Sequence, residues 1–231
     1  MSVALARPAP PRILLVTDPA HDDDAIVRVV EACVAALPRG AFGVQLRDKE
    51  RPRASLAAFG ARLRTATRPG GEARAQLFVN GDVEIARDVD ADGVHLGTDV
   101  ARVESARRIL GPRALVSLAA HDDAELRAAL DAGASAALVS PIFATPGKGA
   151  PRGLDALRSA RAILRVHDPH HAREDGAGFA IYALGGVDEG NAAACIEAGA
   201  DGVAVIRALL LPRAAAPVED VVRAISTSIT S

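Results

Sequence analysis

Aromatic residues and cysteines are scarce in this sequence. Tryptophan is absent and the aromatic fraction is 3%, so a core must be built mostly from Ala, Val, Leu and Ile. With 49% hydrophobic residues over 231 positions, the chain has enough of these to bury a large core. Cys33 and Cys195 are the only cysteines and lie far apart within helical patterns. They indicate neither a disulfide framework nor a metal motif, and we expect both thiols to be packed inside the protein.

A strong charge and a long apolar run are also missing. The formal net charge is only -2, which argues against nucleic-acid binding by bulk electrostatics, so any anion must be held by a local arrangement. No apolar stretch is long enough to span a bilayer, and we expect no membrane contact. The first eleven residues, MSVALARPAPP, lack the apolar centre of a signal peptide. We therefore expect a disordered leader over residues 1–11 and a cytoplasmic location.

From Arg12 onward, short apolar runs alternate strictly with longer helical patterns. The eight apolar runs are Ile13–Val16, Phe42–Leu46, Gln76–Val79, Gly93–His95, Ala114–Leu118, Ala136–Val139, Phe179–Leu184 and Gly202–Ile206. Strict alternation implies parallel strands with crossover helices. Eight such units predict an α/β protein of the (β/α)8 TIM barrel class, as a single domain over residues 12–231. A doubly wound open sheet is the alternative.

A weak internal repeat accompanies this alternation. Residues 90–94, 131–135 and 197–203 read DADGV, DAGAS and EAGADGV, and each falls where a helical pattern runs into a strand. Glycine at such a position predicts a helix C-cap. One segment departs from the rhythm: residues 166–178, VHDPHHAREDGAG, predict an exposed loop before the seventh strand. The spacing of His167, His170 and His171 matches no defined metal motif, so we expect these side chains to be solvated.

The stretch Ile181–Leu209 predicts a phosphate site. Its first apolar run ends in Gly185 and Gly186, with a helix start predicted at Asp188, and its second run opens into another helix at about Arg207. Glycine lets the backbone turn sharply and lets an anion approach its N–H groups. Two adjacent cradles of this kind form the phosphate site after strands 7 and 8 of many (β/α)8 barrels. The alternative is that the two glycines serve only close packing.

Cationic side chains follow the second and sixth strands. Gln45, Arg47 and Lys49 alternate with Leu46 and Asp48, so the first three share one face. Arginine offers a planar fork and lysine a point charge, a suitable pair for a diphosphate. The loop SPIFATPGKG after the sixth strand carries a further cation, Lys148. We expect it at the mouth of the barrel, the end where the strands have their C-termini, where it suits the same ligand.

Two aspartates at neighbouring strand ends indicate a metal. Asp82 follows the third strand and Asp99 the fourth, and their carboxylates are ligands that Mg2+ accepts. The alternative is helix capping, because each of them precedes or opens a helical pattern.

Four segments in chain order resemble the thiamine phosphate synthase family, which includes the related thiazole tautomerases. They are VQLRDK, LFVNGDVEIARDVDADGVHLG, SPIFATPGK and IYALGGVDEGNAAACIEAGADGVAVIRAL. The resemblance implies a (β/α)8 barrel that joins a pyrimidine diphosphate to a thiazole ethyl phosphate and expels diphosphate with Mg2+. It implies that the pyrimidine diphosphate contacts Gln45, Arg47, Lys49, Asn80 and Lys148, with Arg47 and Lys148 as the catalytic pair. It implies that the thiazole phosphate contacts Thr145, Gly185, Gly186, Ile206 and Arg207.

Four positions differ from the family pattern. The two metal aspartates of the family fall at Gly81 and Val100, each one residue away from an aspartate of this chain. A family serine falls at Ala119 and a family threonine at Gly147. A synthase with Mg2+ held by the displaced Asp82 and Asp99 is the first hypothesis. A thiazole tautomerase-like isomerase, which would need His121 or His95 as an acid–base group, and a non-catalytic phosphate-binding homologue are the alternatives.

Overall fold

A closed barrel of eight parallel strands forms the centre of the protein. The computed structural model describes residues 8–167, 178–211 and 216–230. Each strand pairs with the next, and the eighth pairs with the first. The strands are β1 Ile13–Val16, β2 Phe42–Leu46, β3 Gln76–Asn80, β4 Gly93–His95, β5 Leu115–Ala120, β6 Ala136–Val139, β7 Ala180–Leu184 and β8 Gly202–Val205. The predicted (β/α)8 barrel is confirmed, and the open sheet is excluded because β8 pairs with β1.

Helices connect successive strands along the described chain, and α8 and α9 follow the last strand. They are α1 Asp23–Ala36, α2 Arg53–Thr67, α3 Val83–Asp88, α4 Val103–Leu110, α5 Asp123–Asp131, α6 Asp155–His167, α7 Ala192–Glu197, α8 Arg207–Leu210 and α9 Val218–Ser228. Short 3-10 turns precede β3 and α4, at Pro69–Gly71 and Val100–Arg102. None of the helices within the described residues combines the length and the apolar character needed to cross a membrane.

Helix α7 begins later than the predicted start at Asp188. Residues 188–191 form a side-chain-stabilised turn, in which the backbone N–H of Asp188 donates to Asn191 Oδ1 at 3.0 Å. Asn191 Nδ2 in turn donates to the carbonyl oxygen of Gly186 at 3.0 Å. Short polar side chains compete with the backbone for hydrogen bonds in this way, so the segment supports the glycine turn before the helix starts.

Two apolar layers explain why the strands read as continuous hydrophobic runs. Outward-facing residues such as Ile13 and Leu15 pack beneath the helices, in the larger cluster. Inward-facing residues such as Leu14, Phe78 and Tyr182 fill the barrel in a second cluster. Because both faces of each strand are buried, the strands show no alternation of apolar with polar residues.

The N-terminal end of the barrel is closed by part of the segment that the sequence assigns to a leader. Pro11 is buried, and the Tyr182 hydroxyl donates a hydrogen bond to its carbonyl oxygen. Gln76 Nε2 donates to the carbonyl oxygen of Ala9 at 2.8 Å. Residues 8–11 therefore pack against the barrel, whereas residues 1–7 lie outside the described part of the chain.

The internal repeat marks a contact between strands at this same end. Asp201 accepts hydrogen bonds from the backbone N–H of Ile181 at 2.8 Å and from Arg161 Nη2 at 2.6 Å. Asp92 makes the same two kinds of contact. It accepts hydrogen bonds from the backbone N–H of Leu77 in β3 and from Arg64 Nη1 in α2. These acidic residues therefore stabilise the bottom of the barrel, because each joins the amide of one strand to a helix arginine.

The glycines of the repeat have two different roles. Gly133 and Gly199 follow helix ends with φ of 69° and 113°, which confirms the C-cap prediction there. In the first repeat the prediction is wrong: Asp90 has the positive φ, 53°, and Gly93 begins β4. A Cβ at Gly93 would lie 2.1 Å from the carbonyl oxygen of Leu115, so this glycine permits close strand packing.

Candidate active site

A buried polar layer lies above the apolar filling of the barrel, at the C-terminal ends of β2 to β5. Gln45 is 2% exposed, and its Nε2 donates to Asn80 Oδ1 at 3.4 Å. Gln45 Oε1 is buried and has no hydrogen-bond partner within the described residues. Beside this pair, His95 Nδ1 lies 3.0 Å from Ser117 Oγ. Gln45 Oε1 is therefore a buried acceptor of this layer that no described group satisfies.

His95 is a neutral group at this position. Its imidazole is buried against β5. Burial, together with the positive charges of Arg47 and His121, lowers the pKa of His95 to about 4.

The residue that holds Arg47 in place was not identified from the sequence. Thr17 follows β1 and is buried, and its Oγ accepts a hydrogen bond from the backbone N–H of Arg47 at 2.8 Å. The same hydroxyl donates to the carbonyl oxygen of Arg47 at 3.1 Å. Thr17 thus fixes the backbone just beyond β2. Its location immediately after an apolar run was the one available signal.

The neighbouring charges separate by face, as the alternation predicts. Arg47 is half-buried and Lys49 is exposed, both beyond the end of β2. Asp48 instead accepts from Arg51 Nε at 2.9 Å. The Arg51 guanidinium also pairs with Asp23 and lies 4.9 Å from the ring centroid of Phe59. Asp48 is therefore engaged with the outer helices and does not neutralise the cations at the mouth.

The loop after β6 packs directly on the Gly185–Gly186 turn. The backbone N–H of Phe143 donates to the carbonyl oxygen of Gly185 at 2.9 Å. A Cβ on Gly186 would lie 2.8 Å from Phe143 Cβ, and Gly185 and Gly186 have φ of 100° and 66°. Both glycines are thus required by close packing and by backbone conformation. Thr145 Oγ1 donates within the loop to the Phe143 carbonyl oxygen at 2.9 Å, and Lys148 lies exposed near its tip.

A cavity of about 340 Å³ opens beside this turn. Every residue that the resemblance assigns to the thiazole phosphate lines it: Thr145, Gly185, Gly186, Ile206 and Arg207. The two sides of the cavity come from the ends of β7 and β8 and from the loop after β6. The first amide groups of α8 have no partner within that helix, so they are available to an anion in the cavity.

The other predicted residues do not line this cavity. Gln45, Arg47, Lys49 and Asn80 lie at or just beyond the ends of β2 and β3, whereas Lys148 lies in the loop after β6. The mouth therefore has a cavity beside the glycine turn on one side, with Arg207, Asp188 and Glu189 among its lining residues, and a cationic strand end on the other.

The two aspartates predicted to bind Mg2+ lie at the starts of α3 and of the second 3-10 turn. Asp82 caps α3: its Oδ1 accepts from the backbone N–H of Ile85 at 2.8 Å and lies 3.5 Å from Arg53 Nη2. Asp99 is exposed at the start of the second 3-10 turn. No group of three or more His, Cys, Asp or Glu side chains suited to a metal occurs in residues 8–167, 178–211 or 216–230. The capping alternative is therefore correct for Asp82.

Two further histidines have carboxylate partners. His121 Nδ1 lies 2.9 Å from Glu125 Oε2, in the first turn of α5. His167 Nε2 lies 3.0 Å from Asp131 Oδ1. His170 and His171 of the predicted loop lie outside the described residues.

Comparison with known sequences gives one consistent result. The profile of the family described as thiamine monophosphate synthase (TMP-TENI) matches residues 13–209. A thiamine-phosphate synthase of Moorella thermoacetica is 38% identical over 184 residues, which cover 78% of this chain and 80% of that protein. One of Chloroflexus aurantiacus is 38% identical over 179 residues, which cover 76% of this chain and 75% of that protein.

Solved structures agree with these sequence matches. A thiamine phosphate pyrophosphorylase from Pyrococcus furiosus superposes with a TM-score of 0.72 at 27% identity, covering 95% of both chains. An orotidine 5'-phosphate decarboxylase from Pyrococcus horikoshii superposes with a TM-score of 0.62 at 17% identity, covering 94% of this chain and 99% of that one. The second similarity shows the shared barrel fold alone.

Proposed function

The chain belongs to the thiamine monophosphate synthase family, and we propose that it condenses a pyrimidine diphosphate with a thiazole ethyl phosphate. The products are thiamine phosphate and diphosphate. One observation carries the proposal: the barrel mouth combines a backbone cavity around Gly185 and Gly186 with a separate cationic strand end at Arg47. Two phosphorylated substrates need two such places.

The polar layer suits an aminopyrimidine. Gln45 Oε1 is buried without a partner, and such an atom is costly unless a ligand donates to it. The exocyclic amino group of an aminopyrimidine supplies that hydrogen. Asn80 accepts from the Gln45 amide nitrogen and so orients the oxygen toward the ligand.

The diphosphate has three cationic partners. Arg47 contributes a planar fork, whereas Lys49 and Lys148 contribute point charges. Arg47 is the most constrained of the three because Thr17 holds its backbone through two hydrogen bonds. A fixed donor stabilises developing charge better than a mobile one, since it need not reorganise during the reaction.

The reaction breaks one bond and forms one. The C–O bond between the pyrimidine methylene carbon and the diphosphate breaks, and its electron pair leaves with the diphosphate. Electron density from the aminopyrimidine ring stabilises the resulting methylene cation. The lone pair of the thiazole nitrogen then forms the new C–N bond. The protein needs no base, which is compatible with His95 being neutral and engaged by Ser117.

The thiazole phosphate would occupy the cavity beside the glycine turn. Backbone N–H groups of the turn and of α8 can bind its phosphate, and Arg207 lines the same cavity. Thr145, which also lines the cavity, would contact the thiazole on the side facing the loop after β6.

Product formation tests the proposal. Purified protein would be mixed with both substrates, with Mg2+ or with EDTA, and thiamine phosphate would be separated by chromatography. We expect the wild-type protein to form thiamine phosphate and Arg47→Ala to lower kcat/KM by about 100-fold or more, as for loss of a donor that stabilises transition-state charge. Arg62→Ala is the matched control, because Arg62 pairs with Asp24 on the outer surface of α2. Near-normal rates in Arg47→Ala would refute the assignment.

Two further outcomes would favour the alternatives. Exchange of a thiazole proton with solvent, without condensation, would indicate an isomerase. Binding of both substrates with no conversion would indicate a binding protein. The described histidines offer little support for an isomerase, because His95 is buried against Ser117 and His121 is engaged by Glu125.

A further inference from the structure

We propose that this chain neutralises a bound diphosphate with arginine and lysine side chains, including Arg53, rather than with a divalent cation held by its own carboxylates. The inference rests on the proposed function, because it names the groups that receive the leaving diphosphate. It also departs from the Mg2+ dependence that the family resemblance implies.

The first argument is the engagement of Asp82. Its Oδ1 accepts a hydrogen bond from the backbone N–H of Ile85 at 2.8 Å and lies 3.5 Å from Arg53 Nη2. A divalent cation at this carboxylate would compete with the helix cap and would face the like charge of the guanidinium. Arg53 therefore already supplies positive charge at the end of β3, where the metal would lie.

The second argument concerns the two positions that should carry the metal carboxylates. Gly81 has no side chain, and Val100, 36% exposed, offers only an apolar one. A Cβ at Gly81 would meet no atom within 4 Å, so space for a carboxylate exists and is unused. Its φ of 79° disfavours most side chains, although aspartate tolerates this region better than they do. Of the two displaced aspartates, only Asp99 has a carboxylate without a helix cap or an arginine partner within the described residues, so these two positions offer a cation at most one uncommitted carboxylate.

The third argument is the surplus of positive charge. Within the described residues, Arg47, Lys49 and Lys148 have no carboxylate within ion-pair distance, although most other arginines near the strand ends do. Unpaired cations that follow the carboxyl ends of β2 and β6, at one end of the barrel, attract an anion to that end. Arg53 is 59% exposed and can turn from Asp82 toward such a ligand.

Binding of inorganic diphosphate tests the proposal independently of turnover. Titration calorimetry would be done in excess EDTA and again in excess Mg2+. We expect binding in EDTA with an affinity that Mg2+ raises by less than about tenfold. Arg53→Ala should weaken binding in EDTA by about five- to tenfold, in the range measured for a charged contact, whereas the matched helix variant Arg62→Ala should not. Binding only in Mg2+, no binding in either buffer, or equal effects of the two variants would overturn the proposal.

A second measurement examines the metal directly. Mn2+ would be followed by electron paramagnetic resonance with diphosphate alone and with diphosphate plus protein. We expect the wild-type protein to immobilise no additional Mn2+. Gly81→Asp/Val100→Asp, shown to be folded by circular dichroism, should immobilise it, because both carboxylates are then restored. Additional Mn2+ on the wild-type protein would overturn the proposal.

The two proposals fail in different ways. If turnover and diphosphate binding both require Mg2+, the synthase assignment stands and the proposed metal-independent diphosphate site is overturned. Diphosphate binding in EDTA without turnover under any condition supports the cationic site and overturns the synthase assignment.

Discussion

Thr17 and Arg47 are joined by two hydrogen bonds through one hydroxyl group. The hydroxyl accepts from the Arg47 N–H at 2.8 Å and donates to its carbonyl oxygen at 3.1 Å. The two residues lie beyond the ends of neighbouring strands, so the hydroxyl extends the pairing of β1 and β2 past the last strand residues. The arginine that would bind diphosphate therefore has a backbone fixed by the first strand.

Removing the Thr17 hydroxyl should lower kcat/KM more strongly than it lowers the stability of the fold. Thr17→Val keeps the shape of the side chain but leaves the Arg47 backbone groups without their partner. We expect kcat/KM to fall by about tenfold, because the guanidinium is then less well oriented. Thr17→Ser retains the hydroxyl and should remain near the wild-type value. Steady-state kinetics of the two variants makes the comparison, and equal losses would contradict the positioning role.

The glycine turn gives a second prediction. Gly186→Ala would place a methyl group 2.8 Å from Phe143 Cβ and 3.0 Å from the carbonyl oxygen of Ala144, at a φ of 66°. The loop after β6 must then shift, and the KM for the thiazole phosphate should rise by about tenfold or more. Gly190→Ala is the matched control, since its Cβ would only approach Asp188 Oδ1 at 3.4 Å. A KM that is unchanged in both variants would show that the cavity does not bind this substrate.

The buried histidine predicts a pH dependence of stability. Burial and neighbouring positive charge lower the pKa of His95 from 6.5 to about 4. Between these values the unfolded chain binds a proton that the folded protein does not, so stability is full above pH 6.5 and is lost as the pH falls toward 4. The loss from this residue amounts to about 3 kcal/mol at 1.36 kcal/mol per pKa unit.

Denaturant unfolding of His95→Asn against wild type isolates this contribution. Carboxylates titrate similarly in both proteins, so their effects cancel in the difference. We expect the variant to lose less unfolding free energy than the wild type as the pH falls through this interval. Parallel losses in the two proteins would mean that His95 does not stay neutral in the fold.

The bottom of the barrel gives a prediction that leaves catalysis unchanged. The Tyr182 hydroxyl is buried and donates to the carbonyl oxygen of Pro11, and Tyr182→Phe removes this hydrogen bond. We expect the unfolding free energy to fall by about 1–3 kcal/mol, because a buried carbonyl loses its partner. The kinetic constants should stay the same, since the mouth lies at the opposite end. A changed KM with unchanged stability would argue against a purely structural contact.

The local sequence pattern predicts some helix starts and contacts of this protein and misses others. The capping of α3 by Asp82 could be anticipated, because aspartate before an apolar helical pattern is a known N-cap signal. Its second contact, with Arg53, joins the starts of two helices 29 residues apart in sequence and has no local signature. The predicted start of α7 at Asp188 is too early. Asn191 and Asp188 hydrogen-bond to nearby backbone groups there and so delay the helix, although they are also residues that favour helix starts.

The alternation of buried strands with helices, and with it the barrel and the residues after each strand, follows from the amino-acid pattern alone. Period and spacing are properties of neighbouring residues, so they are visible in the chain order. Which distant groups meet depends on the folded chain: Thr17 meets Arg47, His95 meets Ser117, and Tyr182 meets Pro11. Barrel closure brings these groups together across 22 or more positions of sequence, and burial then decides which polar atoms are satisfied and which, like Gln45 Oε1, have no partner within the described residues.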